Sequence, residues 1–472
     1  MPVSLSLDIN LPTCFTLDRI DDYISSLLSF LTSPLVESLI LAHPNEIAVQ
    51  DEWSLDWWTW AGNIDAINRQ IIIDSLIESA TGKEIAPEIT LHPSLASLLN
   101  DVSRLRLPRD IHSSLDTPSP PLMGMSPKKA HEIDKLCTLI SRTFSDTKLI
   151  VDVGAGQGYL SRRLAELDPQ ARVLALDGDE SQTEGAALRG QGLSHARRQQ
   201  ARKDTGAATP TKQVEQAVTH RTLFITSDSL SRAVDEWIHD VETEGGRDVL
   251  ITGLHACGSL TPAVLKCFVD LAKAKTGTWR PSALALVGCC YNLMHDPSDF
   301  PLSQITSTTP TKLNLTPNHL QLAAQCPAQW TSTHAERERA ALARRKIVWR
   351  ALLARLFSAS GVQPGTRLGR LPDRAYTSWE TFVGVACGKM AVGVPPNESG
   401  EDTEGNLAFR LEMLHVLRAL IGPVIESLIV VDRAVYLAEE LGGHSMVRAI
   451  NIFDQLNSGS PRNIALVVEL RS

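Results

Sequence analysis

The sequence predicts an α/β fold built on a mostly parallel, doubly wound sheet, and two observations lead to this prediction. Short apolar runs follow Lys148 at intervals, and each has the length of a buried strand. Segments in which apolar residues recur with helical spacing separate most of these runs. Strands that are apolar throughout and alternate with helices are typical of a parallel sheet covered on both faces.

These patterns place each element in order. The predicted strands are Leu149–Val153, Val173–Leu176, Leu223–Ile225, Val249–Leu254 and Leu284–Val287. The predicted helices between them are Tyr159–Leu167, Leu230–Val241 and Thr261–Ala274. Two further β-runs, Ala449–Asp454 and Ile464–Leu470, flank a turn region and predict an antiparallel hairpin. The expected sheet therefore has seven strands, and the last strand is reversed.

The rest of the chain is predicted to be mostly helical, which suggests one core with additions rather than several independent domains. Apolar residues at three- and four-residue steps indicate helices near the N-terminus, and Phe409–Leu441 is expected to form two helices broken at Gly422–Pro423. The expected parts are a helical N-terminal region over 1–120, a core over 121–304, a helical insertion over 305–445 and a terminal β-hairpin over 446–472.

Composition excludes several classes of protein. The chain has 472 residues, of which 43% are hydrophobic and 21% charged, so global disorder is excluded. The net charge of −9 argues against a surface that attracts nucleic acid everywhere. Eight cysteines are too few for a disulfide scaffold, which favours a cytoplasmic or nuclear location. No signal peptide is expected, and the apolar stretch Pro281–Met294 is shorter than the ~20 residues of a membrane-spanning helix.

One connection within the predicted core is basic. Residues 185–221 contain seven Lys or Arg residues and are otherwise rich in Gln, Ala, Thr and Gly. This composition predicts an exposed, flexible insertion. Two interpretations remain open for it: a solvated loop, or an arm that docks RNA or another polyanion.

A glycine-rich loop follows the first core strand and opens a helix. It reads Asp152-Val153-Gly154-Ala155-Gly156-Gln157-Gly158, and Tyr159 follows. A dinucleotide fingerprint would require glycine at the position of Tyr159. The pattern D-x-G-x-G-x-G instead resembles motif I of class I S-adenosylmethionine-dependent methyltransferases. The cofactor that this resemblance implies is S-adenosyl-L-methionine.

Acidic residues are expected at the ends of three successive strands. Asp177 would accept hydrogen bonds from the ribose hydroxyls, Asp228 would contact the adenine amino group, and Asp152 would lie near the methionine ammonium. Gly154, Gly156 and Gly158 complete the predicted cofactor-binding set. Three acids with no basic residue in the loop suit a cationic ligand better than a phosphate.

The fourth and fifth strands end in residues that can carry chemistry. Ligands of open α/β sheets bind beyond the carboxyl ends of the strands, so these side chains are expected to converge. The catalytic candidates are His255, Tyr291 and Asn292, with His255 acting as a general base or orienting the substrate. Cys257, Cys289 and Cys290 are expected to line the pocket without a metal, because H-x-C and C-C spacings differ from a C-x2–4-C zinc knuckle.

Two other segments are expected near the acceptor. A helix carrying Lys128, Lys129, His131 and Glu132 precedes the first core strand and can fold over the cofactor, or it can simply be a solvated helix with an apolar inner face. Arg462 and Asn463 lie in the turn before the last strand. They either hold the acceptor or tie the turn to Glu426 or Asp432.

Five short motifs together resemble one family. They are MSPKKAHEID at 125–134, DVGAGQGYLSR at 152–162, GLHACGSL at 253–260, VGCCYN at 287–292 and FPLS at 300–303. In combination they resemble the eukaryotic methyltransferase-like protein 25 group. The resemblance implies a Rossmann-like class I methyltransferase fold with a helical insertion before the last two strands. It leaves the methyl acceptor open.

Two sequence features bear on the identity of the methyl acceptor. The HxCG…CC layout is loosely similar to that of eukaryotic tRNA ribose 2′-O-methyltransferases, so tRNA or rRNA is one expected acceptor, and a protein or small molecule is another. The fourth strand lacks the Asp/Asn-Pro-Pro-Tyr/Phe motif of amino-group methyltransferases, which argues against adenine N6 chemistry. The alternative function is a non-catalytic scaffold whose helical regions contact partners.

Overall fold

A computed structural model describes residues 6–50, 53–115, 125–186, 214, 217–241, 247–274, 278–363, 365–395 and 401–471. The chain divides into two compact units. Unit 1 comprises Met1–Leu28, Leu107–Ala324 and Glu426–Ser472, and unit 2 comprises Ser29–Arg106 and Gln325–Ile425. These boundaries differ from the four stretches expected from the sequence, because each unit combines segments that are distant along the chain.

In the described part of the chain, unit 1 contains one sheet of eight strands. They are β1 (Leu7–Ile9), β2 (Leu149–Val153), β3 (Arg172–Asp177), β4 (Val218–Thr222), β5 (Asp248–Cys257), β6 (Arg280–Cys289), β7 (Ser445–Asn451) and β8 (Ile464–Leu470). Their spatial order is β1-β7-β8-β6-β5-β2-β3-β4. Only β8 is antiparallel to its neighbours, β6 and β7. The predicted mostly parallel sheet with a reversed last strand is therefore confirmed.

The strand count differs from the prediction by one. Leu7–Ile9 lies in the region expected to be helical, yet it pairs in parallel with β7 at the edge of the sheet. A three-residue strand is too short to show the alternation by which strands are recognised in a sequence. The sheet of the described residues therefore has eight strands, one more than the seven predicted.

The strand predicted at Leu223–Ile225 is also misplaced. The observed strand β4 covers Val218–Thr222 and so overlaps the end of the segment 185–221, which was expected to be a basic loop. Because β4 is the other edge strand, its residues are only half-buried, so it lacks the continuous apolar run of a central strand. Most of the predicted basic insertion at 185–221 lies outside the described residues.

The helices whose two ends are both described are α1 (Ile20–Leu31), α2 (Pro34–Leu41), α3 (Pro44–Gln50), α4 (Asp56–Gly62), α5 (Ala66–Ser79), α6 (Pro93–Leu105), α7 (Pro127–Thr143), α8 (Tyr159–Leu167), α9 (Ser227–Asp240), α10 (Leu260–Lys273), α11 (Gln304–Thr308), α12 (Pro317–Ala323), α13 (His334–Ala359), α14 (Trp379–Met390) and α15 (Glu401–Leu441). Helix α8 matches its prediction at both ends.

Helix α7 positions the site because it packs on the sheet. Ser126 caps its first turn, and Pro127 occupies the first helical position, where no backbone donor is needed. Its buried face includes Ile133, Leu136 and Ile140, which share one core with strand residues of β2, β5 and β6. The face of α7 that was expected to be apolar is therefore the face that holds it on the sheet.

Helix α15 is continuous, and the predicted break at Gly422–Pro423 is wrong. Pro423 lies inside the helix, where it costs roughly 3 kcal/mol relative to alanine. Its neighbours Ile421, Val424 and Ile425 are fully buried, and burying each such side chain contributes roughly 1.5–3 kcal/mol. Burial along the helix therefore outweighs the penalty of the proline.

The same helix meets the length and hydropathy criteria of a membrane span. Residues Gly405–His444 include an 18-residue window of high mean hydropathy, and 83% of that window is buried inside the protein. The bent pair Leu17–Leu31 and Pro34–Leu41 passes the same test only when it is counted as one span. The core helix of a globular protein is buried to a similar extent and passes the same test. The sequence analysis did not identify this helix as a long apolar stretch.

Unit 2 has its own core, which is aromatic in part. Trp349, Tyr376 and Phe382 contact one another with ring centroids 5.0–6.1 Å apart. Helices α13 and α14 supply this cluster together with the turn at Asp373–Tyr376. The unit therefore buries its apolar surface within its own helices.

Gly253 tests the close packing of the central strands. A Cβ at Gly253 would lie 2.7 Å from the carbonyl oxygen of Val153 on β2 and 2.9 Å from Leu286 Cδ1. We expect Gly253→Ala to lower the free energy of unfolding by about 1–3 kcal/mol, measured by chemical denaturation. The control Gly384→Ala lies in α14 with no atom within 4 Å of its Cβ, and it should stabilise by about 0.5–1 kcal/mol. Equal effects of the two variants would contradict the close approach of β2 and β5.

Candidate functional site

The glycine-rich loop joins β2 to α8 at the carboxyl edge of the sheet. Gly154, Gly156 and Gly158 all have positive φ, between +52° and +68°. The N–H of Gly156 donates a hydrogen bond of 2.8 Å to Oδ2 of Asp177 at the end of β3. The predicted first and second strand ends therefore meet, as the sequence analysis expected.

The glycine-rich loop has space for a ligand beside Gly156 and is packed against the protein at Gly158. Apart from its two chain neighbours, no heavy atom of the described residues lies within 4 Å of the position that a Cβ at Gly156 would take, so the backbone is open there. A Cβ at Gly158 would instead lie 2.7 Å from His220 Cε1, so that glycine is needed for packing against β4. A half-buried carboxylate beside an open stretch of backbone suits the hydroxyl-bearing part of a nucleoside.

Asp152 lies at the start of the loop but faces the protein interior. It is fully buried, and Ser161 of α8 donates a hydrogen bond of 2.5 Å to its Oδ2. Burial raises the pKa of Asp152 to about 7, against the opposing effect of the Ser161 hydrogen bond. This placement indicates that Asp152 supports the loop, and its contact with a cofactor ammonium stays a prediction.

Asp228 does not lie at a strand end, which corrects the predicted geometry. The third predicted strand is absent at that point, and Asp228 is an exposed residue in the first turn of α9. The chain leaves β4 at Leu223, whose N–H bonds to the carbonyl of Asp177. Thr226 and Ser229 then form a capping box that begins the helix. Asp228 therefore belongs to a helix N-terminus.

His255 occupies a β-bulge near the end of β5. The pairing of β5 with β6 shifts between Leu254 and Ala256, so His255 is the extra residue, and its φ is +66°. A bulge of this kind redirects a side chain, and a non-glycine residue with positive φ is strained. The His255 side chain is 35% exposed, so one edge of the imidazole is accessible.

Glu132 of α7 holds His255, a role that sequence reasoning did not assign to it. The distance from Glu132 Oε2 to His255 Nε2 is 3.0 Å, and Ser460 Oγ donates to Oε1 at 2.6 Å. Burial alone would raise the pKa of Glu132, but His255, Ser460 and Lys128 keep it below its ordinary value. An ionised Glu132 accepts the Nε2–H of His255, which leaves Nδ1 as the basic nitrogen.

Three cysteine thiols meet beside this pair. Cys257 ends β5, Cys289 ends β6 and Cys290 follows it with a φ of +49°. The Sγ atoms of Cys257 and Cys289 are 3.2 Å apart, and those of Cys289 and Cys290 are 3.6 Å apart. The sulfur hydrogen bond from Cys289 lowers the pKa of Cys257, and the same bond raises the pKa of Cys289.

Tyr291 and Asn292 are adjacent in the short turn that follows β6, but their side chains differ in exposure. Tyr291 is buried, and its hydroxyl donates a hydrogen bond of 3.1 Å to Glu426, while Asn292 is exposed. Burial is the main cause that raises the pKa of Tyr291. The placement of Tyr291 favours a structural role over the predicted catalytic one, and Asn292 alone remains accessible.

Arg462 and Asn463 belong to a buried ionic network. Arg462 Nη1 lies 2.7 Å from Glu426 Oε1, and Arg109 Nη2 lies 2.8 Å from Oε2. Asn463 bonds to both the carbonyl and the guanidinium of Arg109. Burial would raise the pKa of Glu426, but Arg109 and Arg462 hold it below its ordinary value. Of the two expectations for this turn, the tie to Glu426 is the one observed.

The FPLS motif has a separate structural function. Asp432 of α15 is buried and accepts hydrogen bonds from the N–H groups of Leu302 and Ser303 and from the Ser303 hydroxyl. Burial raises the pKa of Asp432 in spite of these bonds. The motif therefore anchors the chain after β6 to helix α15.

A methyltransferase family model matches this part of the chain. The model describes a methyltransferase domain and covers residues 128–297, from the start of α7 to the turn after β6. This span includes the glycine-rich loop, Asp177, His255, Glu132 and the three cysteines. Residues 128–297 thus match a methyltransferase domain, and the fold class implied by the sequence motifs is confirmed.

Curated relatives support the same resemblance. The mouse probable methyltransferase-like protein 25 is 26% identical over 266 residues, which are 52% of this chain and 40% of that protein. The human probable methyltransferase-like protein 25 is 25% identical over 268 residues, with the same coverage of both chains. The matched segment therefore spans two fifths of the relatives' length, and the similarity to this group is confirmed for that segment.

One solved structure aligns over nearly the whole chain at low similarity. It is coclaurine N-methyltransferase bound to N-methylheliamine and SAH, with 11% identity, 96% coverage of this chain, 99% coverage of that chain and a TM-score of 0.25. The sheet order and the domain match show the fold class without this alignment.

Asp152 gives the protein a pH-dependent stability. Its carboxyl keeps a proton in the folded state up to about pH 7, whereas an unfolded aspartate loses it near pH ~4. Its contribution is complete below the unfolded pKa and is lost as pH rises through the folded pKa. We expect Asp152→Asn to gain stability relative to wild type by about 2–3 kcal/mol between pH 5 and pH 8. Denaturant titrations of both proteins at several pH values measure this difference, and a stability gap that stays constant from pH 5 to pH 8 would contradict it.

Proposed function

We propose that this protein is an S-adenosylmethionine-dependent methyltransferase that acts on a hydroxyl acceptor, with the ribose of tRNA or rRNA as the acceptor class. The observation that carries the proposal is that two groups of residues lie at the carboxyl edge of the same sheet, on neighbouring parallel strands. One is the open glycine loop bonded to Asp177, and the other is the pair formed by the buried Glu132 and the partly exposed His255. The methyltransferase domain match covers both.

The cofactor would be held by the loop and by the end of β3. Asp177 offers carboxylate oxygens to a ribose, and the open backbone at Gly156 leaves room beside it. The bound cofactor supplies a methyl group already activated on a sulfonium. The hydrogen bond from the Gly156 N–H to Asp177 joins residues 21 positions apart in the chain. It therefore holds the ends of β2 and β3 together as one binding surface.

His255 gives the site a base suited to an oxygen acceptor. Glu132 fixes the tautomer, so Nδ1 of His255 is free to take the proton of an attacking hydroxyl. A neutral nitrogen acceptor would need such a base less, since the sulfonium needs mainly correct positioning of its partner. The pairing of Glu132 with His255 therefore favours an oxygen acceptor over a nitrogen acceptor.

Two arguments favour RNA among hydroxyl acceptors. The HxCG…CC layout is loosely similar to that of tRNA ribose 2′-O-methyltransferases, and the basic stretch 185–221 offers charge for a polyanion. Both the layout and the basic stretch are features of the sequence. A protein or small-molecule acceptor is the other outcome of the test below.

Calorimetry and methyl transfer together test this function. The full chain should bind S-adenosylhomocysteine, and tritiated methyl groups from S-adenosylmethionine should enter the RNA fraction of a cell extract depleted of small molecules. Label in protein or metabolites would move the acceptor to those classes. Absence of cofactor binding at high micromolar concentration would instead support the non-catalytic scaffold.

Asp177 is expected to govern cofactor affinity. Hydrogen bonds to a charged group contribute about 1.5–3 kcal/mol, so Asp177→Ala should weaken S-adenosylhomocysteine binding roughly 10–100-fold in calorimetry. Asp179→Ala is the matched control, because Asp179 is exposed two residues away and caps only its own turn. Asp177→Asn keeps an acceptor for the Gly156 N–H and separates loop damage from ribose recognition. Wild-type affinity in Asp177→Ala would place the ribose elsewhere.

His255 is expected to act in turnover rather than in cofactor binding. A general base contributes about 10²–10⁴-fold, so His255→Gly should lose that much kcat while its S-adenosylhomocysteine affinity stays unchanged. Added imidazole should restore part of the rate, which a purely structural histidine would not allow. His239→Gly, at an exposed histidine near the end of α9, is the control. Full activity of His255→Gly would remove the base from the mechanism.

Glu132 is expected to act through His255 as a positioning residue. Glu132→Gln removes the charge that selects the imidazole tautomer, so kcat should fall about 10–100-fold with KM for the cofactor unchanged. Glu132→Asp should recover part of the rate because it keeps the carboxylate. Steady-state kinetics of both variants test this, and an equal loss in the two would point to packing alone.

A further inference from the structure

The three thiols at the ends of β5 and β6 form a cluster that methyl transfer does not use. Cys257 and Cys289 face each other across the two paired strands, and the positive φ of Cys290 turns its thiol toward them. All three Sγ atoms lie within 4.8 Å of one another. Adjacent cysteines in an extended strand would alternate between faces, so the backbone strain at Cys290 is what gathers the thiols.

The spacing of the sulfur atoms matches that of a metal site. A zinc–sulfur bond of ~2.3 Å with tetrahedral angles places two thiolates about 3.8 Å apart. Two of the three separations are 3.2 Å and 3.6 Å and the third is at most 4.8 Å, so every pair lies within about 1 Å of the spacing that one zinc ion requires. The C-x2–4-C rule misses this site because two of its ligands come from neighbouring strands 32 residues apart.

Charge supplies a second, independent observation. Arg433 of α15 is 2% exposed, its guanidinium lies 5.5 Å from the ring centroid of Tyr291, and Asp432, Asp299 and Cys289 are the acidic groups whose charges act on it. Its Nη2 bonds to the thioether of Met294 at 3.4 Å, and its Nε has no partner. A Cβ at Gly288 would lie 2.9 Å from Arg433 Nη1, so the guanidinium lies against β6 next to Cys289.

A buried guanidinium is costly unless an anion compensates it. Three thiolates around a divalent zinc ion carry a net charge of −1, which Arg433 can balance. Cys289 is buried between strand ends, whereas Cys257 and Cys290 are half-buried and border solvent. The fourth position of the ion would therefore open toward solvent, as in catalytic rather than structural zinc sites.

We propose that Cys257, Cys289 and Cys290 bind a zinc ion through three thiolates, leaving one position open beside His255. Binding forms three zinc–sulfur bonds and releases the three thiol protons to solvent. Thiolate ligands favour zinc and other soft metals over magnesium or calcium. The site does not depend on the proposed methyl transfer, since it requires only the two strand ends.

Cobalt is a spectroscopic probe of this site. The reduced, chelator-treated full chain should take up one Co²⁺ per chain, with the sulfur-to-cobalt charge-transfer bands and the intense visible bands of a tetrahedral thiolate site, and Zn²⁺ should displace it. The double variant Cys257→Ser/Cys290→Ser should lose both uptake and bands. Cys14→Ser, at an exposed cysteine outside the cluster, should retain them. A wild-type chain that binds no more Co²⁺ than the double variant overturns the proposal.

A protection experiment avoids any dependence on the folding of variants. The wild-type chain is alkylated with iodoacetamide with and without Zn²⁺, and each cysteine is followed by mass spectrometry. Zn²⁺ should slow modification of Cys257 and Cys290 at least tenfold while Cys14 reacts at an unchanged rate. Equal rates at Cys257 and Cys290 with and without Zn²⁺ would overturn the site. Because no cofactor is present in either assay, failure here is distinct from failure of S-adenosylhomocysteine binding.

Discussion

The buried carboxylate of Glu132 is the constraint on which the site depends. It accepts hydrogen bonds from Ser460 in the β7–β8 loop and pairs with His255 at the end of β5. A buried charge that loses its partners is strongly destabilising, so these three segments are held in one arrangement. Helix α7 can present Glu132 there because Ile133 and Leu136 anchor it on the sheet. The position of the histidine thus follows from the packing of a helix that precedes the sheet.

The reversed strand explains how the end of the chain reaches this site. Parallel strands place their carboxyl ends at one edge of the sheet, and an antiparallel strand begins where its neighbours end. Strand β8 pairs Ala465 with Val287, so the loop from Ser460 to Asn463 lies beside the end of β6. Its residues then meet two different carboxylates: Ser460 meets Glu132, and Arg462 meets Glu426. The surroundings of these two acids give them pKa values below the ordinary range, because both have cationic or polar partners. Asp152 is also buried, but its side-chain partner is a single hydroxyl group, and its pKa is about 7.

The sequence predicted what depends on local pattern and missed what depends on pairing across the chain. Strands β2 and β8 and helix α8 match their predicted bounds, because buried strands and amphipathic helices have strong periodic signals. Edge strand β4 lacks that signal, so the strand was predicted too late in the sequence, at Leu223–Ile225. Asp228 was therefore predicted to follow a strand, whereas it lies in the first turn of a helix. Glu132 was recognised only as part of a solvated or cofactor-covering helix, since nothing in its local sequence reveals a partner 123 residues away. An acid on the apolar side of an amphipathic helix is the one signal that was available.

Backbone strain links the chemistry to the ends of β5 and β6. Among the described residues, three non-glycine residues have positive φ, and two of them are His255 and Cys290. Such conformations cost about 1–3 kcal/mol each and persist only where the surrounding structure enforces them. Here the β5–β6 pairing, the Glu132 bond to His255 and the sulfur contacts of Cys290 provide that enforcement. The same two bends turn an imidazole and a thiol out of the strand alternation toward one edge of the sheet. A straight β5 and β6 would carry the same residues without bringing them together.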